Sequence, residues 1–375
     1  SYLIYVGLPL SGFAILCFYD GFAPSLLYAY ITYIAMTLLY TFINVPYGAL
    51  NSSLTRDTHE ITVLTSVRMF MANIGGLAVN SGLPLVISWF AVSQSDGLPK
   101  EPKAWFTTMC IYAIVGMCLL FFCFSQCKER VVMDASESEN VKVSDLWMEF
   151  LHNRPLRVIA FFFITAFAMM SIGNAAGAYF MNCNMHGTAA ELSVFMALGS
   201  IPSFIFMPLV PVIKQAVGKK NMFYIFLGAA IVGMIMIYVI AKMDHPSMMW
   251  IYVAQFIKST GVIVATGYMW ALVPEVISYG EYKSGKRIAG IVNALTGIFF
   301  KAGMTLGGIV GPAVLAYVGY NSATTDQSPI AEEGILWLVC IIPAALLVLG
   351  IFIISQYELT DAVIDDINYE IEQRS

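Results

Sequence analysis

The chain has 375 residues, of which 59% are apolar and only 11% charged, with a formal net charge of −5. Soluble domains carry about a quarter charged residues, so this composition excludes an ordinary soluble protein and leaves little chain for large extramembrane parts. It also excludes a nucleic-acid binder, because the balance is acidic and the aromatics are dispersed through apolar runs rather than interleaved with basic clusters.

Ten apolar runs follow one another, at 2–19, 25–50, 63–90, 105–126, 156–181, 190–213, 221–242, 247–275, 289–319 and 334–356. Each is long enough to cross a hydrocarbon core about 30 Å thick, which predicts an all-α membrane protein with ten transmembrane helices. Basic residues in the connections set the orientation. Arg56, Lys128, Arg130, Lys142, Arg154, Arg157, Lys214, Lys219, Lys220, Lys283, Lys286, Arg287 and Arg374 fall on one side, and only Lys100, Lys103 and Lys242 on the other. The positive-inside rule makes the first side cytoplasmic, with both termini inside. On that orientation the Asn51-Ser52-Ser53 sequon lies in the cytoplasm and carries no meaning for glycosylation. The organisation expected is a four-helix bundle at 1–126, a cytoplasmic linker at 127–154, a six-helix bundle at 155–356 and a cytoplasmic tail at 357–375. Within the linker, Leu146, Trp147, Phe150 and Leu151 recur at helical spacing and predict an amphipathic helix on the inner membrane face, where a plain linker is the simpler alternative.

Cysteines 17, 110, 118, 123, 127, 183 and 340 are odd in number and lie in or beside apolar runs, where they read as small packing residues. Four scattered histidines form no ligand pattern, so no metal site or cofactor is expected.

Polar groups inside the runs carry the functional signal. Asn44 lies near the end of the second run and Arg68 a similar distance into the third, so a helical hairpin brings them to similar depth. Arg68 cannot shed its charge and needs a partner or a water-filled cavity; a packing hydrogen bond or a snorkelling arginine would also accommodate it. Lys301 sits twelve residues into its run, about 18 Å deep at 1.5 Å per residue, too far to snorkel. Lys258 is eleven residues from the outer end of its run and fits either a structural ion pair or a pathway lining. Glu275, Glu281, Lys283 and Arg287 cluster at the cytoplasmic mouth, as a solvated loop held by ion pairs or as a gate that breaks when the inner side opens.

An internal repeat organises the whole. The second run ends near Val45-Pro46 and the eighth at Val273-Pro274. Each is followed by a charged turn, a run with one basic residue (Arg68, Lys301) and a glycine pair (Gly75-Gly76, Gly307-Gly308). SYLIYVGLPLSGF at the start aligns in the same register with KNMFYIFLGAAIVG. Helices one to four thus repeat helices seven to ten, and helices five and six lack counterparts. Parallel repeats of this kind build transporters from two six-helix halves, so two helices are expected to precede Ser1.

The segments INVPYGALNSSLTRDTHEIT, SVRMF, ALVPEVISYGEYKSGKR and IFFKAGMTLGG resemble the signature regions of the glycoside-pentoside-hexuronide cation symporters, the family of melibiose permease within the major facilitator superfamily. VIKQAVGKKN is also similar to that superfamily's basic-glycine motif. The resemblance covers essentially the whole chain in helix order. It implies a major facilitator fold with ten of its twelve helices present. It also implies sugar or glycoside transport coupled to a cation, H+ or Na+, by alternating access around a midplane site, in a bacterial plasma membrane and without an enzymatic step. It further implies that Tyr40, Asn44 and Arg68 are substrate-site positions, that Thr41 and Asn44 lie on the cation side of their helix, and that Lys301 is the basic residue that ties the two halves. Departures are visible. Asn44 is neutral where melibiose permease has an acid, and Gly48 stands where that protein has a sugar-stacking aromatic.

Sugar recognition requires donors and acceptors beside an aromatic face. Tyr40, Asn44, Arg68 and Lys301 supply the polar half, and Trp270, Tyr268 and Tyr179 are candidate stacking rings. The expected partners are a sugar, a coupling cation and the lipid bilayer, around a monomer. Three rivals stay open on the residues alone: the same fold moving a lipid or other amphiphile, a membrane-embedded enzyme, for which no nucleophile or paired carboxylates converge, and a non-transporting membrane protein.

Overall fold

The computed structural model describes the backbone of residues 2–22, 25–54, 58–91, 101–126, 143–284, 289–322 and 324–374. Side chains are described for these residues except 2, 3, 22, 45–54, 58–70, 143–146, 284, 289, 290, 361, 362, 365, 368, 371, 372 and 374. The regular structure in this set is entirely helical. Nine of its helical segments are long and apolar enough to cross a membrane, and Ile4–Leu16 is a shorter apolar helix. The chain forms two compact units, Ser1–Glu139 with Thr188–Ser193, and Asn140–Gly187 with Val194–Ser375.

The first unit contains α1 (Tyr2–Leu16), a 3₁₀ turn at Asp20–Phe22, α2 (Leu26–Leu54), α3 (Thr58–Phe90) and α4 (Pro102–Gln126). Helix α1 packs against both α2 and α4. Gly7 allows the approach, since a Cβ there would lie 3.1 Å from the Leu120 side chain and 3.9 Å from that of Ile43. Hydroxyl groups in these apolar helices turn back on their own backbone. Thr32, Thr37, Thr41, Thr107 and Thr108 each donate to the carbonyl four residues earlier, which satisfies them where lipid offers no partner.

The second unit opens with α5 (Val143–His152) and α6 (Arg154–Tyr179), whose end passes into a π-helical turn at Phe180–Asn184. Asn153 caps α6 by accepting from the Leu156 N–H, with Pro155 in the first turn. Then follow α7 (Ala189–Phe206), a 3₁₀ turn at Met207–Leu209, α8 (Val210–Val217) and α9 (Lys219–Ala241). Helices α10 (Met248–Met269), α11 (Leu272–Ser284) and α12 (Ala289–Tyr317) come next. The last span is α13 (Pro329–Leu336), a π-helical turn at Trp337–Ile341 and α14 (Ile342–Ser355), and α15 (Asp361–Arg374) ends the chain. In α5, Trp147 and Leu151 are exposed while Phe150 lies 5.3 Å from the Phe299 ring of α12, so the helix is two-faced.

Glycines set the closest helix crossings of this unit. On α12, a Cβ at Gly303 would come within 2.7 Å of the Ile164 carbonyl, and one at Gly307 within 2.6 Å of the Ala168 carbonyl, both on α6. On α9, a Cβ at Gly233 would come within 2.6 Å of the Lys258 amide nitrogen of α10, and α10 returns the contact with Gly261 against Ala230. Small residues at interfaces let backbones meet where no hydrophobic effect drives helices together.

Three boundaries differ from the sequence reading. The charged turn between α2 and α3 is short, because α2 runs on to Leu54 and α3 starts at Thr58. The apolar run 247–275 is two helices, separated by a turn at Trp270–Ala271, and α11 carries the expected loop residues on to Ser284. The spans at 156–181 and 334–356 each contain a π-helical turn. The sequon at Asn51, Gly48 and the side chain of Leu146 lie outside the described residues.

Gly261→Val places a branched side chain into the α9 backbone, where a Cβ alone would come within 2.6 Å of the Ala230 nitrogen. The expected result is a loss of about 3 kcal/mol or more, at the upper end of overpacking effects, seen as a lower thermal midpoint in detergent micelles. Ala at Gly116, where a Cβ meets nothing within 4 Å, should leave the midpoint unchanged.

Candidate functional site

In the second unit, α6, the α10–α11 break and α12 gather an aromatic group around Trp270. Trp270 occupies the break and is 48% exposed. Its ring meets Phe163 edge-on at 4.9 Å and Phe167 at 6.1 Å, both on α6, and lies 6.2 Å from Phe300 on α12. Phe167 and Phe300 meet perpendicularly at 4.4 Å. These edge-to-face contacts are a favourable geometry for aromatic pairs, and they hold the indole while leaving about half of the residue open.

Lys301 follows Phe300 directly. Trp270 lies 14 residues before the end of α11 at Ser284, and Lys301 lies 12 residues after the start of α12 at Ala289, so the two stand at a similar level. At about 100° per residue, Lys301 is turned about 160° from Gly303 and about 120° from Gly307, the glycines that press on α6. It is exposed, and it forms no ion pair or side-chain hydrogen bond among the described residues. An ammonium about 18 Å along a spanning helix cannot face acyl chains without a large penalty. An exposed cation at this depth calls for water or a polar partner beside it, although Ile298 and Met304, one turn before and after it, are also exposed.

The first unit carries its own polar strip. Tyr40 is 55% exposed and Asn44, one turn on, is also exposed, while Ile43 between them is buried. Thr41 donates its hydroxyl to the Thr37 carbonyl at 2.9 Å, which leaves its oxygen able to accept. The Arg68 side chain lies outside the described residues. Tyr40 and Asn44 share a helix face with i, i+4 spacing, and Trp270 and Lys301 are both exposed in the other unit. Of the remaining candidate rings, Tyr268 is buried and packs 5.7 Å from Phe223, and Tyr179 packs edge-on to Tyr320 at 5.3 Å.

Of the residues expected at the cytoplasmic gate, Glu275 sits in the first turn of α11 and is closely held. Both its oxygens accept from Lys219 Nζ at 2.8 Å, and Oε2 also accepts from the Tyr357 hydroxyl at 2.8 Å. Lys219 donates further to the Leu359 carbonyl at 3.1 Å, and Arg154 pairs with Glu358 at 2.8 Å. The segment after α14 is thus tied down to the starts of α9, α11 and α6. Glu281 and Lys283 lie on α11, where Lys283 is 5.7 Å from the Tyr279 ring centroid. Arg287 lies outside the described residues. Sequence reasoning had no means of finding Tyr357 and Leu359, which carry no periodic or motif signal at the end of an apolar run, nor the phenylalanines that hold Trp270, which look like any lipid-facing aromatic.

The sequence matches the family described as MFS/sugar transport protein over residues 1–361. It is 41% identical over 377 residues to the uncharacterized symporter YnaJ of Bacillus subtilis (strain 168), covering 100% of this chain and 79% of that protein. It is 27% identical over 380 residues to a glucuronide carrier protein homolog of Escherichia coli (strain K12), covering 100% of this chain and 80% of that one. The fold is also that of a solved bacterial metal transporter, with a TM-score of 0.57 over 95% of this chain and 84% of the other at 16% identity.

The Lys219–Glu275 pair is nearly out of solvent, with side chains 7% and 15% exposed. Lys219→Met leaves a buried carboxylate with a hydroxyl as its main partner and should cost about 3–5 kcal/mol of stability, read from thermal unfolding in micelles. Adding Glu275→Gln should recover at least half of that loss; a single variant as stable as the native chain would mean that the pair contributes nothing.

Proposed function

The chain belongs to the MFS/sugar transport protein family, a family of transporters rather than enzymes, and from that premise we propose that it imports a sugar or glycoside by symport with a cation. The observations that carry this reading are a half-exposed indole, Trp270, packed 6.2 Å from Phe300, and the next residue on that helix, Lys301, exposed and with no ion-pair partner among the described residues. An indole face receives the apolar face of a pyranose ring, and an ammonium donates to its hydroxyl oxygens. Tyr40, Asn44 and Arg68 are the proposed sugar contacts of the first unit. The name symporter borne by the 41% identical relative supports a coupling ion, proton or sodium, and the name of the glucuronide carrier homolog supports a glycoside as cargo. A lipid or other amphiphile is not favoured.

Transport is by alternating access: the sugar and the ion shift the balance between an outward-open and an inward-open state only as far as they bind the two with different affinity. Glu275, Lys219 and Tyr357 would hold the inner ends of α9 and α11 to the tail in one of these states and release them in the other. The basic bias of the connections and the bacterial sources of the relatives support a bacterial plasma membrane with both termini in the cytoplasm.

The test is uptake by proteoliposomes of methyl β-galactoside, methyl β-xyloside and methyl β-glucuronide under imposed proton and sodium gradients. Accumulation of one glycoside driven by one gradient is expected, with Lys301→Met and Trp270→Ala each reducing it at least tenfold, equivalent to about 1.4 kcal/mol. No accumulation of any glycoside under either gradient by well-folded protein would contradict the reading.

A further inference from the structure

The side chain of Lys258 is used by none of the contacts described so far. It lies 10 residues into α10, about 15 Å along the helix, and its neighbours Ala254, Gln255, Ser259, Gly261 and Val262 are buried. Its ammonium stands 5.8 Å from the centroid of the Phe195 ring of α7, a side chain that is itself 1% exposed, so the cation points into the helical unit and not toward lipid. Among the described residues it forms no ion pair and no hydrogen bond. One turn earlier on the same helix face, Gln255 is 6% exposed and its Oε1 is buried with no hydrogen-bond partner. An ammonium without an acceptor therefore lies close along the helix to an acceptor without a donor.

The surroundings add few other charges. The titratable group in electrostatic reach of Lys258 is the thiol of Cys340, in the π-helical turn of the last span. On α9, Tyr238 lies toward the outer end, where it donates to Glu333, itself bound to Lys242, and Lys219 and Lys220 lie at the inner end. Glu191 of α7 is in its first turn, bonded to Thr188. From α6 and its π turn come Tyr179, set against Tyr320, and Cys183. Tyr252 and Tyr268 share α10 with Lys258, six residues before it and ten after. No carboxylate neutralises Lys258 in this set, and a bare ammonium in such a medium is stabilised only by the ring face and by any acceptor that turns to it. Lys258 is nonetheless intermediate in exposure.

We propose that Lys258 is the site that carries a coupling proton, with Gln255 Oε1 and the Phe195 ring receiving the ammonium form. This rests on the symport reading above and assigns the ion. The neutral amine takes one proton from the outer aqueous side, and the ammonium gives it to the inner side after the change of state; no other bond is made or broken. Thr41 and Asn44 are then sugar-side groups and not the seat of the ion, since neither a hydroxyl nor an amide carries a proton's charge at neutral pH.

The full chain is reconstituted in sodium-free vesicles, and two rates are measured with whichever of methyl β-xyloside or methyl β-glucuronide the native chain takes. Exchange without a gradient reports sugar handling, and accumulation driven by an imposed pH gradient reports coupling. Lys258→Gln and Lys258→Met are expected to retain exchange within about threefold and to lose accumulation at least tenfold. Lys258→Arg, whose charge is permanent, should lose accumulation equally. In weakly buffered vesicles the native chain should move protons with sugar, and Lys258→Gln should not. Gradient-driven accumulation retained by Lys258→Gln overturns the proposal, as does equal loss of exchange and accumulation in folded variants. If the variants do not fold, the native chain decides alone: sugar entry without proton movement overturns the proposal, and proton movement with sugar supports it. Failure of the native chain to exchange any glycoside contradicts the symport reading and, with it, this assignment.

Discussion

The structure depends on one constraint: inside a bilayer no water is at hand to satisfy a polar group, so each must find a partner in the protein or mark a place where water or ligand enters. Most of the polar groups here meet it locally. Threonines return their hydroxyls to the backbone, Asn153 caps α6, Glu333 accepts from Tyr238, Trp337 and Lys242, and Lys219 is neutralised by Glu275. Against that background Lys301 and Lys258 stand out, because the described residues offer neither an ion pair. One is exposed on the surface of its unit, and the other stands beside the buried Phe195 ring. On that difference in placement rest the sugar contact proposed for the first and the proton site proposed for the second.

Rigid crossings fix these two lysines. The glycines of α12 bring its backbone onto α6, and this turns Lys301 away from the interface and sets Phe300 against Phe167 and Trp270. The reciprocal glycines of α9 and α10 bring the Lys258 backbone close to α9. Discontinuity does the rest. The turn at Trp270–Ala271 places an aromatic ring at a helix break, and broken helices are where transporters build their sites, since backbone groups and side chains there are free to meet a ligand. The α11 segment that starts just beyond the break bears Glu275, five residues after Trp270.

The fold was largely legible from the sequence, because lipid imposes a length and a composition that apolar runs reveal directly. Each of the ten runs is helical over most of its described residues. What stayed hidden was local. The run 247–275 is long enough to read as one span, and Pro274, which has no N–H to donate to the Trp270 carbonyl, is its one local sign of a break there. The π-helical turns at Phe180–Asn184 and Trp337–Ile341 leave no compositional trace. Lys301 stood out in sequence because a deep cation is expensive, but Lys258, equally deep, could not be told from an ion-paired residue until the absence of a nearby carboxylate was visible. The ring cluster that holds Trp270 combines phenylalanines from separate helices, and only packing brings them together.

The most direct check of the account is whether water reaches position 301. With the seven native cysteines replaced, Lys301→Cys would be treated in sealed vesicles and in inside-out vesicles with a membrane-impermeant maleimide. Labelling from at least one side is the predicted result. A cysteine that resists the impermeant reagent from both sides, yet reacts with a lipid-soluble maleimide, would place this position against acyl chains and contradict the account.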